Sequence, residues 1–118
     1  MAWTDDVDAA VEIEIETRRP DREQPRRTTI WAVVDDGEVF VRSWRGDTAR
    51  WYNEILAEPE AAVIVDGDTT PVLAVPATDP DSVDRASAGL RRKYAGTSEV
   101  DAMVRDEILP TTLRLDPR

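Results

Sequence analysis

Apolar and polar residues follow the two-residue period of β-strands in the first part of the chain. Residues 11–16 alternate apolar and acidic side chains, which predicts a strand with one face on a core and one in water. Residues 28–34 and 38–44 are rich in β-branched and aromatic side chains, and an Asp-Asp-Gly sequence lies between them at 35–37. Because Asp and Gly tolerate the positive φ of a type I′ turn, this pattern predicts a β-hairpin.

The middle of the chain predicts a helix and then a second hairpin. Residues 18–27 are charged and contain two prolines, which is typical of an exposed loop. Residues 48–58 carry apolar side chains at helical spacing and Pro59 follows them, which predicts a short amphipathic helix. Residues 61–65 and 71–77 are strand-like and flank Asp66-Gly67-Asp68, which predicts the second hairpin.

The last third of the chain is predicted to be helical before a closing strand. Asp79-Pro80 has the residue types of an N-cap and a first helical position, and Gly96 marks the end of that helix. Ser98 is predicted to cap a second helical piece that reaches Ile108. Residues 111–115 predict the closing strand.

These elements predict one domain over residues 1–118, mainly β with helical additions. The length is near the usual size of a single domain and too small for two independent cores. Five or six mostly antiparallel strands with a helix inserted midway favour a small closed barrel, because closure removes exposed strand edges.

Composition excludes several kinds of chemistry. The chain has no cysteine and no histidine, which excludes disulfides, thiolate or imidazole metal sites and Ser-His nucleophilic catalysis. Twenty-five acidic residues against 15 basic ones give a net charge of -10, which argues against nucleic acid as a partner because phosphates need a basic surface.

The distribution of apolar residues argues against a membrane partner. The N-terminus lacks the pattern of a signal peptide, and no window approaches the roughly 18 apolar residues of a membrane span. We therefore expect a cytoplasmic protein.

Candidate ligand-binding residues concentrate around the first hairpin. Residues 26–29 (Arg-Arg-Thr-Thr) begin its first strand, and residues 42–46 (Arg-Ser-Trp-Arg-Gly) end its second. Because the start of one antiparallel strand lies beside the end of the next, we expect these donors to converge. Guanidinium groups, hydroxyls and a glycine before a helix N-terminus are what a phosphate group requires. The alternative is that the arginines at 18, 19, 22, 26 and 27 form ordinary surface ion pairs.

Aromatic residues near this hairpin allow two interpretations. Trp31, Trp44, Trp51 and Tyr52 have the side chains that stack on a planar ring system. Tryptophans of a small barrel also occur in the core or at a dimer interface.

The same segments resemble a known superfamily. TTIWAVVDDGEVFVRSWRG (28–46) and ARWYNEILAEPEAAVIVDG (49–67) resemble the deazaflavin-dependent nitroreductase-like branch of the flavin split-barrel superfamily. IWAVVDDGEVFVRSWRG, RRKYAG and the ending TTLRLDPR are similar to an uncharacterised domain-of-unknown-function family grouped with those split barrels. The resemblance implies a six-stranded antiparallel FMN-binding split barrel that forms a homodimer, with the coenzyme in a groove between the subunits.

The resemblance also implies a set of site residues. Those that match the family motifs by position are Arg27, Thr28, Thr29, Ser43, Gly46, Trp51 and Tyr52, and the residues alone add Arg42 and Arg45. Pro20-Asp21-Arg22 replaces the Ser-Gly pair of the family, Ile30 replaces its proline, and the bend before the Trp-Tyr pair is shorter. The coenzyme implied is therefore FMN, a deazaflavin or none.

Two functions follow from these expectations. The first is an oxidoreductase-like protein in which a bound flavin or deazaflavin carries hydride to a small-molecule substrate, so that no histidine or cysteine is required. The second is a non-catalytic dimer of the same fold that carries a coenzyme or senses a ligand. No residue of the sequence is an evident proton donor to a substrate, and the catalytic residues are unknown.

Overall fold

A single antiparallel β-sheet with helices added around it forms the body of the molecule, which is described here from a computed structural model covering residues 3–19 and 21–118. The strands are β1 (Ile13–Thr17), β2 (Arg26–Ile30), β3 (Ala32–Asp35), β4 (Glu38–Val41), β5 (Glu60–Val65), β6 (Asp68–Pro76) and β7 (Leu113–Pro117). The helices are α1 (Trp3–Ala9), α2 (Arg50–Ala57), α3 (Pro80–Lys93) and α4 (Val100–Met103). Two 3-10 segments, Gly46–Thr48 and Asp106–Thr111, precede α2 and β7.

The described residues form a seven-stranded sheet, where six strands were predicted. Its order is β2-β1-β5-β6-β7-β4-β3, so β2 and β3 lie at opposite ends of the sheet. Trp31 alone separates these two strands in the chain, and the sheet therefore curls round to bring its ends together as a half-barrel.

The additional strand comes from a change of partner within the predicted strand 28–34. Ile30 of β2 pairs with Ile13 of β1, whereas Ala32 of β3 pairs with Val41 of β4. One extended segment cannot keep both neighbours without bending, and it bends at Trp31. The prediction of one continuous strand over residues 28–34 is therefore wrong.

Both predicted hairpins are confirmed. Asp36 and Gly37 have φ values of 49° and 76°, and Asp66 and Gly67 have φ values of 50° and 85°. These positive values at both central residues are those of a type I′ turn. The second hairpin is longer than predicted, because β6 begins directly after the turn at Asp68.

The predicted helices around the sheet are present with altered ends. The side chain of Asp79 accepts a hydrogen bond from the Ser82 backbone N–H at 3.0 Å, which confirms the predicted cap of α3. Ser98 does not cap α4, since Glu99 precedes that helix and makes no side-chain cap. The Thr111 hydroxyl donates to the Ile108 carbonyl at 2.7 Å, which extends the 3-10 segment and delays β7 to Leu113.

Buried apolar side chains form two clusters. The larger cluster joins the inner faces of β1, β5 and β7 to α2 through residues such as Ile15, Val63 and Ile55. The smaller one joins β3 and β4 to α3 through residues such as Phe40 and Leu90. Among the helices of the described ranges, none has the length and apolar character needed to span a membrane.

Candidate functional site

A groove of about 720 Å³ opens beside β2 and below the start of α2. Its polar lining residues are Glu12, Arg26, Thr28, Thr29, Arg42, Arg45, Arg50 and Glu99. Its apolar lining residues are Ile30, Trp31, Trp44, Ala49, Trp51 and Met103. The groove therefore combines arginines and hydroxyls with three indole rings.

Strand pairing explains why separate segments meet in this groove. Because Ala32 pairs with Val41, the residues that precede β3 lie beside those that follow β4. Thr28 and Thr29 lie on β2, which pairs with β1, and they reach the same cavity as Arg45 because the sheet curls to bring β2 next to β3. The predicted convergence of the two segments is present, but pairing within one hairpin does not explain it.

Arg42 is a groove residue whose hydrogen-bond donors are already used by the protein. It is only 2% exposed, and its guanidinium donates to Thr112 Oγ1 at 2.8 Å, to the Met103 carbonyl at 3.1 Å and to the Val83 carbonyl at 2.9 Å. Burial, with a smaller effect of Arg91, lowers the pKa of Arg42 to about 10. The interpretation of Arg42 as a direct phosphate ligand is therefore corrected, because its guanidinium joins the segment after β4 to α3, to α4 and to Thr112 just before β7.

Ser43 and Gly46 form the bend before α2 and do not line the groove. Ser43 is fully buried, and its hydroxyl donates to the Gly46 carbonyl at 2.6 Å. Gly46 has a φ of +68°, which a residue with a side chain adopts only under strain. Both residues thus set the path of the chain from β4 to Arg50.

Arg27 was predicted as a site residue, but it does not line the groove, whereas its neighbour Arg26 does. The Nε of Arg27 donates to Glu16 Oε1 at 3.2 Å on the exposed face of β2. Arg26, which the sequence predicts as a donor of the same segment with a surface ion pair as the alternative, lines the groove. Arg27 pairs with Glu16, whereas Arg26 lies beside Glu54, so the family motif and the groove differ here by one residue.

The predicted aromatic residues divide between the core and the groove. Trp51 and Tyr52 are 6% and 9% exposed and belong to the larger apolar cluster, although Trp51 also lines the groove. Trp31 stacks on Tyr94 with ring centroids 3.8 Å apart and 3° between the planes. Trp44 is 59% exposed at the groove.

Several polar groups of the groove have no hydrogen-bond or ion-pair partner among residues 3–19 and 21–118. They are the guanidinium groups of Arg45 and Arg50 and the hydroxyls of Thr28 and Thr29. Arg50 was not predicted, and its place at the first position of α2 beside Trp51 is the signal that could have identified it.

Two tyrosines near the groove have raised pKa values. Burial raises the pKa of Tyr94 to about 12, and its hydroxyl donates to the Val11 carbonyl at 2.7 Å. Burial also raises the pKa of Tyr52 above its usual value. Within the described ranges, no group of three or more acidic side chains could hold a metal ion.

Solved structures of other proteins share this fold. The chain is 22% identical to the conserved hypothetical protein Rv2991 from Mycobacterium tuberculosis, with a TM-score of 0.76 over 100% of this chain and 81% of the other. It is 12% identical to HutZ, the heme storage protein from Vibrio cholerae, with a TM-score of 0.76 and coverage of 98% and 87%. An F420-H2 dependent reductase, FDR-A, is 16% identical, with a TM-score of 0.69 and coverage of 90% and 94%. Identities this low show a common split-barrel type of fold and no more.

Sequence comparison identifies the family directly. No curated protein matches the chain. A family model described as an uncharacterized protein conserved in bacteria, DUF2255, matches residues 4–115, which is nearly the whole chain. The predicted membership of a domain-of-unknown-function family with the split-barrel fold is thereby confirmed, and the chain belongs to the DUF2255 family.

Proposed function

We propose that the groove binds a flavin or deazaflavin coenzyme through the phosphate group of its side chain. The observation that carries this proposal is a set of groove-lining polar groups without partners among the described residues, formed by Arg45, Arg50, Thr28 and Thr29. Arginine forks and hydroxyls are the usual ligands of phosphate. In a chain of net charge -10, a local surplus of guanidinium groups favours an anionic ligand.

The remaining lining residues suit the planar ring system of such a coenzyme. Trp31, Trp44 and Trp51 supply indole surfaces around the cavity. Aromatic rings bind other planar rings by stacking or by edge contacts and exclude water from them. The cavity of about 720 Å³ is within the usual size range of cofactor sites.

When bound, the coenzyme would supply the hydride chemistry that this chain's side chains lack. The residues of the groove would then bind the phosphate, orient the ring and exclude water. The similarity in fold to an F420-H2 dependent reductase supports a deazaflavin as the coenzyme. Heme is less well supported, because the chain has no histidine or cysteine, which are its commonest axial ligands.

A second copy of the chain would complete the site in this proposal. Trp44 exposes 59% of its surface beside the groove, and an indole so placed is typical of an interface. The homodimer would cover this ring and enclose the coenzyme.

The non-catalytic alternative is favoured by one specific observation. Tyr52 and Tyr94 are the groups that could donate a proton to a substrate, but both have raised pKa values and Tyr94 already donates to a carbonyl. Under this alternative, the same site stores or senses the coenzyme without turnover.

The proposal is tested by titrating the purified protein with FMN, a deazaflavin of the F420 type and hemin in separate experiments. Flavin and deazaflavin binding are followed by fluorescence quenching, and hemin by its absorbance. We expect one of the first two to bind, and Arg45→Ala and Arg50→Ala each to weaken it by about tenfold, as loss of a charged phosphate contact should.

Arg27→Ala is the matched control, since Arg27 lies on the same strand as Thr28 but outside the groove. Equal affinity in all four proteins would contradict the site. Reduced coenzyme that stays reduced with every acceptor tried would support the storage or sensing function over the oxidoreductase.

A further inference from the structure

A buried carboxylate lies directly behind the groove. Glu54 on α2 is 7% exposed and accepts a hydrogen bond from Thr17 Oγ1 at 2.7 Å. Arg22 Nη1 and Nη2 donate to Glu54 Oε2 and Oε1, each at 3.0 Å. These contacts, led by the hydrogen bonds from Arg22, lower the pKa of Glu54 to about 2. Glu54 is therefore an anion whose two oxygens are both occupied.

Arg26 competes for the same carboxylate without reaching it fully. Its Nε lies 3.4 Å from Glu54 Oε2, yet this nitrogen is buried and has no hydrogen-bond partner among the described residues. The Arg26 side chain is 34% exposed and lines the groove. One carboxylate thus faces two guanidinium groups, and Arg26 is the one left incompletely paired.

Arg22 is held in its position by several contacts of its own. Its Nε donates to the Gln24 carbonyl at 2.8 Å and its Nη2 to the Thr17 carbonyl at 3.4 Å, in addition to the two bonds to Glu54. A planar fork that meets both carboxylate oxygens is the strongest form of this ion pair. Arg22 does not line the groove.

We propose that Arg22 is a positioning residue for the anion site. Arg22 occupies both carboxylate oxygens of Glu54, so Arg26 contacts Glu54 only at a distance of 3.4 Å and cannot form a two-pronged ion pair with it. The Arg26 guanidinium therefore stays available to an anionic ligand in the groove. This inference rests on the proposed function, since it concerns how the same site obtains one of its cations.

Removal of Arg22 tests this competition. In Arg22→Ala, Arg26 becomes the nearest cation to Glu54 and turns away from the groove. We expect the affinity for FMN, measured by quenching of flavin fluorescence, to fall by about tenfold although no groove residue has changed. Inorganic phosphate, measured by titration calorimetry, should lose affinity in parallel and serves as the probe if FMN does not bind.

Two double variants separate positioning from a merely structural role. Arg22→Ala combined with Arg26→Ala should bind no more weakly than Arg26→Ala alone, because the two changes act through one group. Arg22→Ala combined with Glu54→Gln should regain most of the lost affinity, because the charge that captures Arg26 is gone. A structural role of Arg22 would give additive losses and no recovery.

The matched control is Arg19→Ala, in the same loop, which removes an exposed pair with Asp21. If Arg22→Ala does not fold, Arg22→Lys takes its place, since a lysine cannot span both oxygens and should give a smaller loss. Normal affinity in a folded position-22 variant, or no recovery with Glu54→Gln, overturns the positioning role while the site stands. Equal affinity of Arg26→Ala, Arg45→Ala and wild type overturns both proposals. So does a wild-type protein that binds neither FMN, nor a deazaflavin of the F420 type, nor phosphate.

Discussion

Arg42 and Arg45 lie on the same short segment after β4, but their side chains have different surroundings. Arg42 donates three hydrogen bonds to Thr112 Oγ1 and to two backbone carbonyls, and no carboxylate of the described residues lies within ion-pair distance. Arg45 is exposed at the groove without such partners. The first stabilises the junction of four elements, and the second is available for a ligand.

We expect Arg42→Met to lower the free energy of unfolding by about 2–3 kcal/mol, because three acceptors in buried or partly buried hydrogen bonds lose a charged donor. Urea denaturation would show this as a lower midpoint with an unchanged slope. Arg45→Met is the matched control and should change stability by less than about 0.5 kcal/mol. A stable Arg42→Met protein with weakened FMN binding would return Arg42 to the set of ligand contacts.

At the scale of elements, the cluster around Glu54 ties α2 to β1 and to the loop before β2. Thr17 ends β1, Arg22 belongs to the loop, and both donate to the same carboxylate. Buried carboxylates with several donors contribute to stability only while they are ionised.

The lowered pKa of Glu54 predicts a definite dependence of stability on pH. Its contribution should be fully present above pH 4.5 and be lost as the pH falls toward about 2, since the unfolded chain takes up the proton first. The total is about 3 kcal/mol at most. We expect Glu54→Gln to be less stable at pH 7 and to lose less stability than wild type between pH 5 and 3, as measured by thermal unfolding across that range. Parallel curves for the two proteins would contradict this assignment.

Local patterns predicted those elements that depend on nearby residues. The two Asp-Gly turns and the Asp79 cap could be recognised because their chemistry lies within a few positions of the chain. The break at Trp31 could not, because the residues from Thr28 to Val34 are uniformly strand-like and only the tertiary partners change. The same limit applies to Arg42, whose acceptors are as many as 70 positions away.

The sequence predicts which segments form the candidate site, but not every residue that lines it. The antiparallel pairing of β3 with β4 brings the ends of this hairpin together, and the one-residue connection through Trp31 keeps Thr28 and Thr29 of β2 near Arg45. Which of two adjacent arginines faces the groove depends on the position of Glu16 and Glu54, which lie on other elements. The sequence therefore predicts the region, but it leaves open which of Arg26 and Arg27 faces the groove and does not identify Arg50.

At the scale of the whole molecule, the arginines of an acidic chain and an exposed tryptophan occur together at one groove. The chain carries a net charge of -10, yet it lines one groove with four arginines and two glutamates. Trp44 lies at that groove and is the most exposed of the large aromatic side chains in the described ranges. Both features are concentrated on one side of the half-barrel.

We expect the chain to sediment as a homodimer of twice its 13.2 kDa mass. Trp44→Arg should shift it toward the monomer, because a charged side chain would replace an apolar contact at the interface. Analytical ultracentrifugation over a range of concentrations measures this, with Leu73→Arg, on β6, as a control at another exposed apolar position. A monomer at every concentration would remove the dimer from the proposal.

The single residue between β2 and β3 also restricts how this chain can vary. Ile30 and Ala32 are held in separate ladders, so their spacing is set by hydrogen bonds on both sides of Trp31. Insertion or deletion of one residue at this corner would turn the side chains of a whole strand to its opposite face. Side chains that now face the core would face the groove, and those that face the groove would face the core. The number of residues between β2 and β3 is therefore much less free to change than the number in the loop that precedes β2.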